Sequence, residues 1–163
     1  MRLHTIAMVW LVLGTFGCGG KTDSSGSASG SATAAVSSGS STPALTTLPA
    51  DLDQGPRAAE SVIDEAKAEA GETLFQTKGC SACHAFGKRV SCPDLDGVTT
   101  RRTAKWIQSQ ILHPDLMVKQ DPTARQLFAQ YSLQMPNQNL TVDEAAQVIE
   151  FLKHKNHESA EHK

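Results

Sequence analysis

Apolar residues recur along the C-terminal part of the chain at the spacing of α-helices, and no stretch alternates apolar and polar residues for long enough to predict a strand. A first helix is predicted from about Arg57 to Thr77, with Pro56 at its first position and Gly79 at its C-terminal cap. Its apolar residues lie close to one face: Val62, Ile63, Ala66, Ala70, Leu74 and Phe75. This face is predicted to pack against the rest of the domain.

Two further helices follow a loop over residues 85–100 that is rich in Gly, Pro and Asp. The second helix is predicted over about 103–112 and ends before Pro114, because the residue ahead of a proline avoids helical angles. The third begins with Asp121 as its N-cap and Pro122 in its first turn. The apolar residues of these two helices are Trp106, Ile107, Ile111, Leu127, Phe128 and Tyr131.

The fourth helix has the clearest start. Thr141 and Glu144 have the spacing of a capping box, and Leu140 can pack against Ala145 as a hydrophobic staple. Its buried stripe continues through Val148, Ile149 and Leu152. Residues 156–163 are polar and are predicted to form a loose tail.

Residues 1–18 have the pattern of a bacterial export signal. The apolar stretch from Ile6 to Phe16 is too short to span a bilayer as a mature helix, but it has the length of a signal-peptide core. A small residue precedes Cys18, as in lipoprotein signals, in which this cysteine is lipidated and becomes the mature N-terminus. Thr15 stands where a leucine is usual. A signal cleaved elsewhere and an uncleaved N-terminal anchor are the alternatives.

Residues 19–55 are predicted to be a disordered linker, because Ser, Ala, Thr and Gly dominate and the apolar surface is too small to offset the entropy of ordering it. Such a linker tethers a domain above a membrane or serves as a plain spacer. The helices define one all-α domain over residues 56–155. The chain has 17 acidic and 15 basic residues, a formal net charge of −2, which argues against nucleic acid as a partner.

The most specific chemical signal is the run Cys80-Ser81-Ala82-Cys83-His84, a C-x-x-C-H motif. Its two thiols can form thioethers with both vinyl groups of one porphyrin, and the adjacent imidazole can bind the iron. A dithiol redox pair and half of a zinc site are the alternatives. No strand-like run precedes Cys80, as a thioredoxin-like motif requires, and no second cysteine pair completes a zinc site. We therefore predict one covalent haem c on Cys80 and Cys83, with His84 as an iron ligand.

An iron bound by one histidine takes a methionine, a histidine or a lysine as its sixth ligand, or keeps an open site. Met135 lies between the third and fourth helices, and Pro136 stiffens the backbone just after it. Met117 lies in an apolar run and resembles a packing residue, whereas His113 is a rival ligand ahead of a proline. We predict Met135, whose thioether would stabilise the ferrous state relative to a second histidine.

Other side chains near the motif carry weaker signals. Arg101, Arg102, Trp106 and Tyr131 are candidates for hydrogen bonds to the haem propionates, since a buried carboxylate needs a paired donor. Solvated arginines at the start of a helix are the alternative. Cys92 is predicted to be a small buried packing residue, with a redox-sensitive thiol near the haem as the alternative.

The order of these motifs resembles class I cytochromes c. The matching residues are Gly71, Phe75, Cys80-Ser81-Ala82-Cys83-His84, Pro93-Asp94-Leu95, Gly97, Trp106-Ile107, Met135-Pro136 and Phe151-Leu152. The resemblance implies the cytochrome c fold, with about four helices around one covalently attached haem. It also implies that Gly71 and Phe75 meet Phe151 where the first and last helices cross. Finally, it implies that the Pro93 carbonyl binds the second nitrogen of His84 and orients the ring.

The resemblance further implies a one-electron carrier rather than an enzyme, which passes electrons between respiratory protein donors and acceptors in transient contacts. No small-molecule substrate and no nucleic acid are expected. With the export signal, the predicted location is the periplasmic side of a bacterial inner membrane, with a lipid anchor on Cys18, or free in the periplasm if the lipid signal is not used. The alternative functions are a haem-based enzyme module, a gas or redox sensor with an exchangeable sixth ligand, and the electron-entry module of a larger complex.

Overall fold

The computed structural model describes residues 46–162, which form an all-α fold and contain no strand. The all-α prediction is confirmed, although these residues form six α-helices rather than about four. The helices are α1 (Glu65–Thr77), α2 (Val98–Arg101), α3 (Ala104–Leu112), α4 (Pro114–Gln120), α5 (Pro122–Tyr131) and α6 (Val142–Glu161), with 3₁₀ turns at Ala58–Glu60 and Cys80–Ala82. Within residues 46–162, no helix combines the length and the apolar character needed to cross a membrane.

The first helix starts later than the sequence predicts. Asp64 is its N-cap, and the Asp64 side chain accepts a hydrogen bond of 3.1 Å from the Lys67 N–H. The predicted start at Arg57 is wrong because the Arg57 backbone is extended and its N–H is bound by the Glu60 carboxylate at 2.7 Å. Val62 is consequently 94% exposed instead of lying on the buried face.

Two short helices occupy places where none was predicted. Gly97 takes the left-handed conformation, with φ of +69°, and α2 begins directly after it inside the predicted loop. Pro114 ends α3, as predicted, but it also starts α4, since the first position of a helix does not need a backbone N–H. Helix α3 has the predicted bounds and α5 has the predicted start, with Thr103 and Asp121 as their N-caps.

The last helix extends beyond its predicted end. Its capping box of Thr141 and Glu144 is formed as predicted, with hydrogen bonds of 3.1 and 2.8 Å. The loose tail predicted from residue 156 is wrong, because α6 continues to Glu161. Buried Asn156 accepts hydrogen bonds from the N–H and the hydroxyl of Thr99, and donates one to the Leu95 carbonyl. These bonds hold the final turns of α6 against α2 and the loop before it.

Helices α1 and α6 cross at Gly71, as the resemblance implies. A Cβ atom at Gly71 would lie 2.0 Å from the carbonyl oxygen of Gln147, so only glycine allows this approach. Next to the crossing, the ring centres of Phe75 and Phe151 are 5.3 Å apart, and Phe86 packs at 5.8 Å from each of them. The Gly71 crossing and the packed rings together join the first and last helices.

Residues 46–60, here called the N-terminal strap, belong to the folded domain rather than to a linker that ends at residue 55. Leu52 is 5% exposed within the core, and Leu48 packs against the same core. The Thr103 hydroxyl donates a hydrogen bond of 2.8 Å to the Leu52 carbonyl. The predicted signal peptide, Cys18 and the linker up to residue 45 lie outside the described residues.

Candidate haem site

A cleft with a wide and a narrow part opens beside helix α3. The wide part has a volume of about 170 Å³ and is lined by α3, α4, α5 and the loops that follow the motif and α5. The narrow part has a volume of about 80 Å³ and is walled almost entirely by apolar atoms. Both parts are lined by His84, Leu95, Val98, Trp106, Gln110 and Met135. Because the two parts share these six lining residues, they form one space.

The attachment motif follows a left-handed turn at the end of α1. Gly79 has φ of +78°, which redirects the chain into the 3₁₀ turn over Cys80–Ala82. Cys80 lines the narrow part of the cleft, while Cys83 is half-buried and is not among the lining residues. Neither cysteine is in a disulfide bond, and burial raises the pKa of the Cys80 thiol. The turn thus presents one thiol at the cleft directly and the other beside His84.

The imidazole of His84 is held in one orientation at the cleft. Its Nδ1 lies 2.9 Å from the Pro93 carbonyl oxygen, the contact that the resemblance implies. A carbonyl only accepts, so Nδ1 carries the proton and Nε2 keeps its lone pair for a metal. Burial lowers the pKa of His84, although the bond to Pro93 opposes this effect. The neutral imidazole that binds iron is therefore the favoured form.

Backbone bonds bring Pro93 under His84. The N–H of Cys92 donates to the Cys83 carbonyl at 3.1 Å, and the N–H of Leu95 donates to the Ala85 carbonyl at 3.0 Å. The Asp94 carboxylate adds bonds of 2.9 and 2.8 Å from two N–H groups of the loop. The loop is therefore tied to the motif on both sides of Pro93.

Met135 lines both parts of the cleft and is the methionine that the structure places at the site. The loop after α5 is anchored by Asn137, whose Nδ2 donates to the Leu112 carbonyl at 3.1 Å. Met117 is 0% exposed in the core, and neither Met117 nor His113 is among the described residues that line the cleft. Of the candidates weighed for the sixth ligand, Met135 alone shares the space with His84.

The four candidate propionate residues all line the wide part of the cleft. The Trp106 ring is buried, and its Nε1 has no hydrogen-bond partner within residues 46–162. The Arg102 guanidinium lies 4.9 Å from the centre of that ring. Arg101 is exposed and donates to the Asp96 carbonyl at 2.7 Å, while Tyr131 is half-buried. Because buried N–H groups are nearly always paired, the free Trp106 Nε1 fits an acceptor supplied by a bound group such as a carboxylate.

Gln110 was missed by the sequence reasoning. Its Nε2 lies 3.8 Å from the Met135 sulfur, a distance that suits a weak hydrogen bond to sulfur, and its Oε1 is buried without a partner within residues 46–162. Gln110 follows Trp106 by four positions on α3, so both lie on one face. The sequence shows this spacing, but it does not show that this face of α3 lines the cleft.

Cys92 is a buried packing residue, 5% exposed at the wall of the wide part. Burial raises the pKa of the Cys92 thiol. We expect a thiol-alkylating reagent to leave Cys92 unmodified in the native haem-loaded protein, because the reactive thiolate is disfavoured and access is blocked. Peptide mass mapping checks this against the same protein labelled in denaturant. Equal labelling of Cys92 in both would assign it a reactive role.

The comparisons agree with this geometry. Residues 68–156 match the family model described as Cytochrome c, which is more than half of the chain. A solved cytochrome c from Rhodothermus marinus is 33% identical, with 62% of this chain and 95% of that chain covered and a TM-score of 0.58. An engineered cytochrome c from the same organism, bound to a carbene intermediate, is 34% identical, with 61% and 95% covered and a TM-score of 0.54.

A search of curated proteins found no significant match. The free thiols of the C-x-x-C-H turn, the oriented imidazole and the unpartnered indole N–H suit the cofactor of the matched family. The chain therefore belongs to the cytochrome c family and carries covalently attached haem c.

Proposed function

We propose that this protein is a periplasmic electron carrier that is tethered to the membrane by a lipid on Cys18 and passes single electrons between respiratory protein partners. Membership of the cytochrome c family supports a haem electron carrier. The observation that carries the proposal is that His84 and Met135 line the same cleft, so this chain can supply both axial ligands of one iron. When bound, the haem supplies one-electron cycling between ferric and ferrous iron.

The side chains around the cleft suit electron transfer better than catalysis. Pro93 fixes the tautomer of His84 and increases its basicity as a ligand. The Met135 sulfur is a soft ligand that favours the ferrous state, and the Gln110 amide orients that sulfur. If His84 and Met135 both hold the iron, a substrate would find no open coordination site on it.

The location rests on the family and on the sequence. Cytochromes c are typically extracytoplasmic, which agrees with the export pattern of residues 1–18. A lipid on Cys18 followed by the linker would leave the haem domain free to reach partners near the membrane. The contacts with those partners are expected to be small and short-lived, as repeated electron transfer requires.

Carbon monoxide binding tests the carrier function. The haem-loaded full chain is reduced and mixed with carbon monoxide, and the optical spectrum is followed with time. We expect slow or absent binding, because Met135 occupies the sixth position. Rapid and complete binding would contradict the proposal.

A haem-based enzyme or gas sensor is the second candidate. It is favoured by two observations: the buried Gln110 Oε1 at the cleft, and the engineered relative whose structure holds a carbene intermediate. This function requires that Met135 leaves the iron readily. Rapid carbon monoxide binding by the unmodified protein is the result that would select it.

A further inference from the structure

The N-terminal strap is attached to the wall of the cleft at the start of α3. The Ala58 N–H donates to the Arg102 carbonyl at 3.0 Å, and the Thr103 N–H donates to the Asp53 carboxylate at 2.9 Å. Leu52 is buried in the core just before Asp53. The strap therefore brings one carboxylate to a defined place behind the cleft.

Asp53 forms ion pairs with two arginines, Arg57 and Arg102. Its carboxylate lies 2.6 Å from Arg102 Nη1 and 3.1 Å from Arg57 Nη1. Burial alone would raise the pKa of Asp53, but the Thr103 N–H and the Arg102 guanidinium outweigh it and hold that pKa below its usual value. Asp53 is thus ionised at neutral pH, and its side chain is only 24% exposed, so solvent screens the Arg102 pair less than an open surface pair.

Arg102 connects this carboxylate to the cleft. Its guanidinium lies 4.9 Å from the centre of the Trp106 ring, and both residues line the wide part. The guanidinium has five N–H donors, and a single Nη1 contact holds Asp53, so donors remain for an acceptor in the cleft. The unpartnered Trp106 Nε1 lies at the same wall. The Arg102 guanidinium therefore lies between the Asp53 carboxylate on the strap and the part of the cleft where Trp106 Nε1 lacks an acceptor.

We propose that Asp53 is a positioning residue that holds Arg102 against Trp106 at the haem propionates and lowers the reduction potential of the haem. The inference rests on the proposed function, since a working reduction potential belongs to an electron carrier, and it requires that Arg102 and Trp106 face the propionates. An anion behind Arg102 offsets part of the positive charge that would favour the electron-rich ferrous state. The strap thereby sets the potential at which the carrier works.

If Asp53 only stabilises the strap, replacing it is expected to shift the reduction potential in the opposite direction. A loosened strap would admit water to the cleft, and solvent exposure of the haem favours the charged ferric centre. Loss of a purely structural Asp53 would therefore lower the potential, whereas loss of its charge beside Arg102 would raise it. The direction of the shift separates the two roles.

The test compares Asp53→Asn with Asp51→Asn in the haem-loaded full chain, by spectroelectrochemical titration. Asp51 is the matched control, because it lies two residues away and pairs with Lys105 at 3.0 Å, but its side chain is 61% exposed. We expect Asp53→Asn to raise the potential while the axial-ligand spectrum is unchanged, and Asp51→Asn to give a smaller shift. A fall in potential, no shift, or equal shifts in the two variants would overturn the inference.

A double-mutant cycle tests whether Asp53 acts through Arg102. Arg102→Gln is expected to lower the reduction potential. In the Arg102→Gln background, Asp53→Asn should raise the potential by less than it does in the unmodified protein. Equal effects of Asp53→Asn with and without Arg102 would contradict the proposed route. If Asp53→Asn cannot be obtained with haem attached, Arg102→Gln alone decides, because an unchanged potential in that variant overturns the inference. An unshifted potential with native ligation leaves the carrier function standing, so the two proposals fail separately.

Discussion

Replacing Met135 with Ala is expected to turn a ferrous protein that binds carbon monoxide slowly into one that binds it rapidly and completely. Met135 lines the cleft together with His84, and the shortened side chain leaves the sixth position of the iron without a sulfur. Stopped-flow mixing of the reduced variant with carbon monoxide measures the change. The reduction potential should also fall, since axial ligands set haem potentials over a range of ~0.8 V and a thioether lies towards its upper end.

The control for this variant is Met117→Leu. Met117 is fully buried in the core, and a leucine conserves its volume, so the expected loss of stability is below ~1.5 kcal/mol. Its carbon monoxide kinetics and its absorption spectrum should match those of the unmodified protein. Rapid binding in the Met117 variant together with unchanged binding in the Met135 variant would exchange the roles of the two methionines.

Replacing Gly71 with Ala is expected to destabilise the protein by ~3 kcal/mol or more, at the upper end of overpacking effects. The new Cβ would lie 2.0 Å from the Gln147 carbonyl oxygen and 2.6 Å from its carbon, both of which are backbone atoms of α6. A flexible side chain could turn away, but a helix backbone cannot, so α1 and α6 must separate. Denaturant unfolding of the haem-loaded protein measures the loss.

Whether Gly71→Ala destabilises or stabilises the protein depends on the close contact with the Gln147 backbone. In an open helix, alanine is more favourable than glycine by ~1 kcal/mol, so an uncrowded Gly71 would give a stabilised variant. Glu72→Ala is the neighbouring control on the exposed side of α1, and its effect is expected to remain within ~0.5 kcal/mol. A Gly71→Ala variant as stable as the unmodified protein would show that the two helices do not approach as closely as the structure indicates.

Local chemistry explains why several helix ends were predictable. The Thr141 capping box and the Asp121-Pro122 start depend on hydrogen bonds within a few residues, and both occur in the structure as the sequence predicts. The C-x-x-C-H run likewise carries its own chemistry, since two thiols and an imidazole within five residues suffice to attach one porphyrin. Signals of this kind do not require knowledge of distant contacts.

Long-range contacts explain the errors. The start of α1 was placed too early because Pro56 is a common first helical residue, whereas the Ala58 N–H donates to the carbonyl of Arg102, far along the chain, and the helix begins only after Asp64. The end of α6 was placed too early because Asn156 reads as polar, although Thr99, which lies 57 positions away, satisfies its side chain in the core. In both cases the partner that decides the local structure lies outside the local window.

By itself, the sequence determined the all-α class and the order of motifs that identifies the family, and it predicts that Cys80 and Cys83 attach one haem with His84 on the iron. These depend on residue types at short fixed spacings. Only the tertiary structure decided that Met135 rather than Met117 shares a cleft with His84, and that the strap carries Asp53 to Arg102. Both depend on how a loop and the strap pack against the helices, and the packing of the whole domain determines that.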